Sequence, residues 1–140
     1  MRRRYAVLLG FAGLLTLTSS EVAAANVMVQ ERIKDVDACG LVIGPGGQGI
    51  PDATISATSG GNVIATATTL SDGSFSFVQS VGAHVQLGVK ARGFVDATGT
   101  VDRMSATSSR RCKHPVYAVL AVGGGSSYLT AKKSGLPRSK

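Results

Sequence analysis

Residues 69–77 (TLSDGSFSF) contain the pattern that decides the fold class. Asp72-Gly73 is a residue pair favoured in tight turns, because the turn needs a positive φ angle that glycine adopts easily. Phe75 and Phe77 follow two residues apart, which places both rings on one face of a strand. The stretch therefore predicts a hairpin whose second strand turns its phenylalanine face into a core.

The residues on both sides continue in short apolar runs separated by glycine-rich turns. In residues 85–91, Val85, Leu87 and Val89 alternate with polar or small residues and are predicted to face inward. No apolar repeat of 3.6 residues persists for three turns, so the pattern favours an all-β sandwich or barrel. Predicted strands cover residues 39–43, 54–58, 63–70, 74–78, 85–91 and 116–122, and a further element is expected to start at 93–95.

Length and composition exclude several protein classes. The chain has 140 residues, which is the size of one domain. Charged residues make up 16%, too few for a coiled coil, and apolar residues make up 44%, too many for a disordered chain.

The N-terminus has the three parts of a secretory signal peptide. Three arginines open the chain, an apolar run spans residues 5–17, and residues 23–25 are alanines. The run is shorter than the roughly 20 apolar residues that a transmembrane helix needs. We therefore expect cleavage between Ala25 and Asn26, no membrane span afterwards, and a secreted or periplasmic protein from a bacterium. Residues 26–140 then carry 12 basic and 7 acidic side chains.

Export bears on the two cysteines, Cys39 and Cys112. An isolated pair in an oxidising compartment is expected to form a disulfide. Closing a loop of this length stabilises a fold by roughly 4 kcal/mol on the chain-entropy model. Two buried free thiols are the alternative. A zinc site would need more ligands than His84 and His114 supply at suitable spacing, and no C-x-x-C redox motif is present.

Three blocks in order resemble the carboxypeptidase regulatory-like domain family. They are residues 49–55 (GIPDATI), residues 69–77 and residues 82–94 (GAHVQLGVKARGF). In the last block Gly93 would permit a bend before Phe94 re-enters the core. The resemblance implies a small prealbumin-like Greek-key β-sandwich of about seven strands over residues 38–122. It leaves residues 26–37 as a lead-in strand or a tether, and residues 123–140 as a flexible basic tail.

The resemblance implies a non-enzymatic binding or structural module that engages a protein or glycan partner in trans. No cofactor is expected. The related fold also hosts hydroxyisourate hydrolases, so a small secreted hydrolase using His84 or His114 is the alternative. Those enzymes carry a C-terminal Tyr-Arg-Gly-Ser motif, whereas residues 127–130 here read Ser-Tyr-Leu-Thr.

Metal binding and a second covalent bond are not expected. Calcium needs six to eight clustered oxygens, and the aspartates of this chain are dispersed in sequence. Residues 116–122 contain no Asn or Asp that could accept an isopeptide bond, which pilin-type relatives of this fold use.

Clustered basic residues suggest a polyanion site as a further alternative. Such clusters attract polysaccharides, lipid head groups or nucleic acid, although many are solvated tails that keep a protein soluble. No aromatic residues interleave with these cations, so specific nucleic-acid binding is not expected. The candidate residues are Arg110, Arg111, Lys113, Lys132 and Lys133.

Overall fold

The computed structural model describes residues 32–78, 81–106 and 112–138. The predicted signal peptide, its Ala25–Asn26 cleavage site, and Arg110 and Arg111 lie outside these residues. No helix in the described part of the chain is long and apolar enough to cross a membrane. The described residues form nine strands: β1 Ile33–Asp37, β2 Cys39–Ile43, β3 Thr54–Ser59, β4 Asn62–Thr68, β5 Ser74–Ser76, β6 Gly82–Lys90, β7 Ala97–Ser105, β8 Val116–Val119 and β9 Tyr128–Thr130.

The strands form two sheets, which confirms the all-β class. One sheet has five strands in the order β1-β7-β6-β3-β4, and the other has four in the order β5-β2-β8-β9. The pairs β1–β7 and β2–β8 are parallel, and the remaining pairs are antiparallel. The resemblance implies about seven strands. The two additional ones, β1 and β9, lie at or beyond the ends of residues 38–122.

Ala38 is the point where the chain passes from one sheet to the other. It is fully buried between the end of β1 and the start of β2. Its N–H donates to the Ser105 carbonyl at 2.8 Å, and its own carbonyl accepts from Phe77 N–H at 2.9 Å. A bend of this kind lets one extended segment contribute a strand to each of two packed sheets. The described part of the lead-in is therefore a strand, since β1 pairs along β7.

Both sheets contribute to one apolar core. Val85, Leu87 and Val89 are at most 1% exposed, which confirms the inward face predicted for β6. Phe75 and Phe77 are also buried, and their rings meet edge to face with centroids 5.8 Å apart. This geometry is one that aromatic pairs prefer, and it adds to the apolar area buried.

The turn at residues 69–73 joins two sheets, so the prediction of a β4–β5 hairpin is wrong. β4 pairs with β3, whereas β5 pairs with β2. The cause is a close backbone contact: Gly73, at φ +84°, packs against Gly49 and the Val42 carbonyl. A Cβ on Gly73 would lie 2.8 Å from the Gly49 Cα. This contact holds the turn against the other sheet and directs the next strand onto β2.

Thr69 fastens the same turn from inside. Its side chain is buried, donates to the Ile50 carbonyl at 2.6 Å and accepts from Ala53 N–H at 2.8 Å. Asp72 organises the exposed side, since its carboxylate accepts from the Ser74 N–H at 3.0 Å and the Ser74 hydroxyl at 2.5 Å. Thus two of the blocks that carry the family resemblance, residues 49–55 and 69–77, are bonded to each other.

The element expected at residues 93–95 is a turn instead. Gly93 has φ +86°, and Phe94 N–H donates to the Ala91 carbonyl at 3.1 Å. Phe94 is half-buried and packs against the core, as predicted. The next strand, β7, begins only at Ala97. Its inward positions include Gly99, which has no side chain and therefore gives no apolar signal in the sequence. The Leu129 side chain fills the space beside it.

The prediction of a flexible tail from residue 123 is wrong for β9. This strand pairs antiparallel with β8, and Leu129 and Thr130 are buried. The glycine-rich residues before it form a turn that Ser127 closes, since its hydroxyl donates to the Val95 carbonyl at 2.6 Å and accepts from Ala121 N–H at 2.9 Å. A segment whose composition is typical of a linker therefore leads into a strand that is hydrogen-bonded to β8.

Candidate functional site

The outer face of the four-stranded sheet is covered by the C-terminal segment that follows β9. Alternation along β2 places Val42 in the core and turns Leu41 and Ile43 to the other side of the sheet. Tyr117 and Val119 lie beside these two residues on β8. Ile43 and Val119 are only 4% and 6% exposed although they stand outside the core cluster. Residues 131–138 thus convert an outer sheet face into a lined cavity.

Two adjoining clefts lie on this face, and both include Tyr117 and Lys133. One has a volume of about 380 Å³ and the other about 560 Å³. Because they share two residues, we treat them as one feature, the Tyr117 groove. The smaller cleft is lined by Asp35, Val36, Lys113, His114, Pro115, Tyr117, Ala131 and Lys133. The larger is lined by Leu41, Ile43, Gly47, Tyr117, Lys133, Ser134, Gly135, Leu136, Pro137 and Arg138.

The Tyr117 groove has an apolar floor and a cationic rim. Lys113, Lys133 and Arg138 are exposed at its walls, and Asp35 is the acidic side chain that accompanies them. Tyr117 is half-buried where the two clefts meet. A half-exposed aromatic ring among cations suits a ligand that combines apolar faces with negative charges.

The positions of Lys113 and His114 are set by Asp37 at the end of β1. The Asp37 carboxylate accepts from the backbone N–H of Lys113 at 3.0 Å and of His114 at 2.9 Å. The Asp37 N–H donates in turn to the His114 carbonyl at 2.9 Å. The disulfide lies beside this contact and joins Cys39 to Cys112 with a Cα–Cα distance of 6.1 Å, as predicted. A covalent bond and three hydrogen bonds therefore hold one wall of the groove.

The same region brings three potential metal ligands together, but their chemistry does not suit a metal. Ligand atoms of Asp37, Cys39 and Cys112 lie within 4.8 Å of one another. Both sulfur atoms belong to the disulfide, so neither is the thiolate that zinc binds. The Asp37 carboxylate already accepts two backbone hydrogen bonds.

The two histidines belong to different parts of the fold. His114 lines the smaller cleft together with Asp35. His84 lies on β6 in the five-stranded sheet, is exposed, and has φ +53°. A positive φ is uncommon outside glycine, although histidine tolerates it better than β-branched residues do. The structure therefore does not place both candidate bases in the Tyr117 groove.

The predicted polyanion residues are partly brought together. Lys113 and Lys133 are far apart in sequence and line one cleft. Lys132 is exposed next to Lys133, and its N–H donates to the Thr130 hydroxyl at 3.0 Å.

Tyr117, Asp35 and Leu136 are groove residues that sequence reasoning missed. The sequence assigns Tyr117 to the closing strand and gives it no role. Residues 116–122 are a continuous apolar run, which is typical of a strand covered on both faces, but nothing in the run singles out Tyr117.

No protein-family model matches the chain, and no curated protein matches it.

Proposed function

We propose that this protein is an exported, non-enzymatic β-sandwich module that binds an acidic glycan in the Tyr117 groove. The observation that carries the proposal is the convergence of Lys113 and Lys133 on one cleft that also contains Tyr117. Sugar rings have apolar faces that pack on an aromatic ring, and carboxylates on the sugar would pair with the cations. The glycan belongs to the cell envelope or the extracellular space.

The shape of the groove supports a polymer as the ligand. Two clefts meet at Tyr117, and Arg138 stands in the larger cleft while Lys113 stands in the smaller. An acidic polysaccharide offers one charge at each of several successive sugars. Its negative charges would meet cations in both clefts at once. A polymer should therefore bind with higher affinity than a single sugar acid.

The family and the export are part of the proposal. The order of the blocks at residues 49–55, 69–77 and 82–94 supports a carboxypeptidase regulatory-like, prealbumin-like Greek-key sandwich. The disulfide supports an oxidising compartment, since such bonds persist mainly outside the cytosol. The N-terminal residue of the protein isolated from its host checks the export: Asn26 supports signal cleavage, and an intact Met1 contradicts it.

The binding test uses polygalacturonate as the acidic glycan and dextran as a neutral control polymer. Isothermal titration at low and moderate salt should detect binding to polygalacturonate and no binding to dextran. Lys113→Gln combined with Lys133→Gln should weaken it at least about tenfold, because each lost ion pair removes a charge-assisted contact. Tyr117→Leu should weaken it as well, which attraction by charge alone does not predict.

A charge-matched control separates the groove from general attraction. Lys90→Gln and Arg92→Gln remove two exposed cations, one at the end of β6 in the other sheet and one just after it. This pair should change the affinity less than twofold. An equal loss from both pairs of substitutions, or no binding to polygalacturonate, would overturn the proposal.

The hydrolase alternative needs a base, a nucleophile and an orienting group within hydrogen-bond reach. His114 with Asp35 is the pair that would serve it, since both line the smaller cleft. Replacement of His84 and His114 by glutamine tests this alternative. Loss of an ester or amide hydrolysis in the folded variant would favour the enzyme, and unchanged binding with no hydrolysis in either protein would exclude it.

A further inference from the structure

Cationic side chains are unevenly distributed along this chain. Residues 38–89 contain no lysine or arginine, and their two carboxylates, Asp52 and Asp72, lie in turns. All 12 cations of residues 26–140 fall outside this range. In the five-stranded sheet, β1 and β7 carry charged residues at one edge, whereas β3 and β4 at the other edge carry none.

The uncharged edge is a long strand, and among the described residues no strand pairs with its outer side. β4 is the last strand of the five-stranded sheet, has seven residues and contains neither proline nor charge. Edge strands in monomeric proteins commonly carry proline or charged residues, because an open row of backbone N–H and C=O groups can otherwise pair with another chain. Val63 and Ile64 are 61% and 37% exposed on β4, and Val78 beside them is fully exposed.

We propose that β4 pairs antiparallel with β4 of a second copy of this chain and so forms a symmetric dimer. The pairing would continue the five-stranded sheet across the interface, as strand addition does in other complexes. A two-fold axis brings the same patch of both copies together.

The charge distribution selects a second copy as the partner. A charged partner would find no opposite charge on β4, while a second copy presents the same neutral strand. Two copies with a net charge of about +5 each would repel if their basic ends approached. Contact through β4 keeps the charged β1 edges of the two sheets at opposite ends of the dimer, with several strand spacings of roughly 4.8 Å between them. Screening in physiological salt acts over about 8 Å, so repulsion across that span is small.

The sequence of β4 is also compatible with pairing to itself. From Ala65 to Thr68 alanine and threonine alternate, so an antiparallel pair centred on Thr66 sets Thr66 opposite its own copy on one face and alanines opposite alanines on the other. A bulge opposite Ala57 and Thr58 shifts the register near Ile64. The straight part of the interface is therefore Ala65–Ala67 in both copies, and the exposed Val63 of each copy lies beyond it.

The test measures self-association of oxidised residues 26–140. Sedimentation velocity over a concentration range from about 5 to about 500 µM should show a dimer that forms with rising concentration. Thr66→Lys should weaken the association at least about tenfold, because it sets like charges opposite each other at the axis. The control Thr100→Lys adds the same charge to an exposed threonine on β7, an interior strand of the sheet, and should leave the association unchanged.

A second variant gives a positive signal that does not depend on weakening. Thr66→Cys should form an intermolecular disulfide under mild oxidation, and Thr100→Cys should not. A monomer at every concentration, a dimer unaffected by Thr66→Lys, or no intermolecular cross-link in the Thr66→Cys variant would each overturn the proposal. Polygalacturonate binding is measured separately on the same variants, so its outcome is independent of this one.

Discussion

Asp37 and His114 are joined by two hydrogen bonds of opposite direction, one to the Asp37 carboxylate and one to the His114 carbonyl. The His114 N–H donates to the Asp37 carboxylate, and the Asp37 N–H donates to the His114 carbonyl, each at 2.9 Å. This pair ties the end of β1 to the segment that precedes β8. Because Lys113 also donates to the same carboxylate, the contact sets the direction of a groove wall.

Substitution of Asp37 tests that role. Asp37→Ala removes the acceptor of two N–H groups and should lower the free energy of unfolding by about 1–2 kcal/mol. Asp37→Asn keeps an oxygen acceptor and should cost less than half as much. Urea denaturation measures both changes. Equal losses would mean that the charge of Asp37, rather than its acceptor oxygen, stabilises the segment.

The Cys39–Cys112 disulfide should be a main source of stability. Cys39→Ala with Cys112→Ala removes the covalent link between two positions 73 residues apart, so the unfolded chain gains conformational entropy. The double substitution should lower the free energy of unfolding by about 2–5 kcal/mol. Reductant should shift the parent protein to the same urea midpoint and leave the variant unchanged. Incorporation of two alkyl groups into the denatured, unreduced parent would show instead that the bond is absent in solution.

Gly73 should tolerate substitution much less well than Gly60. Both have positive φ, at +84° and +58°, so alanine strains the backbone at either position. Only Gly73 packs against other backbone atoms, whereas nothing lies within 4 Å of a Cβ at Gly60. Gly60→Ala should cost about 1 kcal/mol. Gly73→Ala should cost at least about 2 kcal/mol more, because the turn must separate from Gly49. Thermal and urea unfolding of the two variants compare them directly.

Thr69 should be more sensitive to loss of its hydroxyl than Thr100. Thr69→Val keeps the shape of the side chain but leaves the Ile50 carbonyl and the Ala53 N–H without their buried partner. The expected loss is about 2–4 kcal/mol in the free energy of unfolding, since unsatisfied buried polar groups cost this much. Thr100→Val, on the exposed face of β7, should change it by less than about 0.5 kcal/mol. Similar values for the two variants would contradict the buried network.

Asp72 should titrate below its usual range. Hydrogen bonds from the Ser74 side chain and then from the Ser74 backbone hold the pKa of its carboxyl below the ordinary value. Because the folded pKa is lowered, the contribution to stability is present above the unfolded pKa and is lost as pH falls through the folded one. Ser74→Ala should raise the pKa of Asp72, as followed by carbon NMR of its carboxyl. Ser71→Ala, in the same turn, should leave it unchanged.

Strand faces could be predicted from this sequence, but the partner of β5 could not. The alternation of Val85, Leu87 and Val89 reports a local geometry with a period of two, so it identifies the buried face correctly. Whether β5 follows β4 in one sheet depends on the contact between Gly73 and Gly49, which no local pattern encodes.

The candidate site was only partly predictable for the same reason. Lys113 and Lys133 are recognisable as cations in the sequence, but their meeting depends on β9 returning along β8. That return in turn depends on Leu129 filling the space beside Gly99, a position that carries no apolar side chain to mark it. Tyr117 has no distinguishing signal, because its covered face becomes evident only when residues 131–138 are placed above it.

The disulfide also closes the chain into a covalent ring that begins at β2 and ends just before β8. A protease that cuts the backbone once anywhere between residues 40 and 111 opens the ring without releasing a fragment. The severed pieces stay attached through sulfur, and strands on both sides of the cut remain paired with their neighbours. In the exported setting that we propose, where peptidases are abundant, a nicked molecule of this protein would keep its two pieces together and its fold.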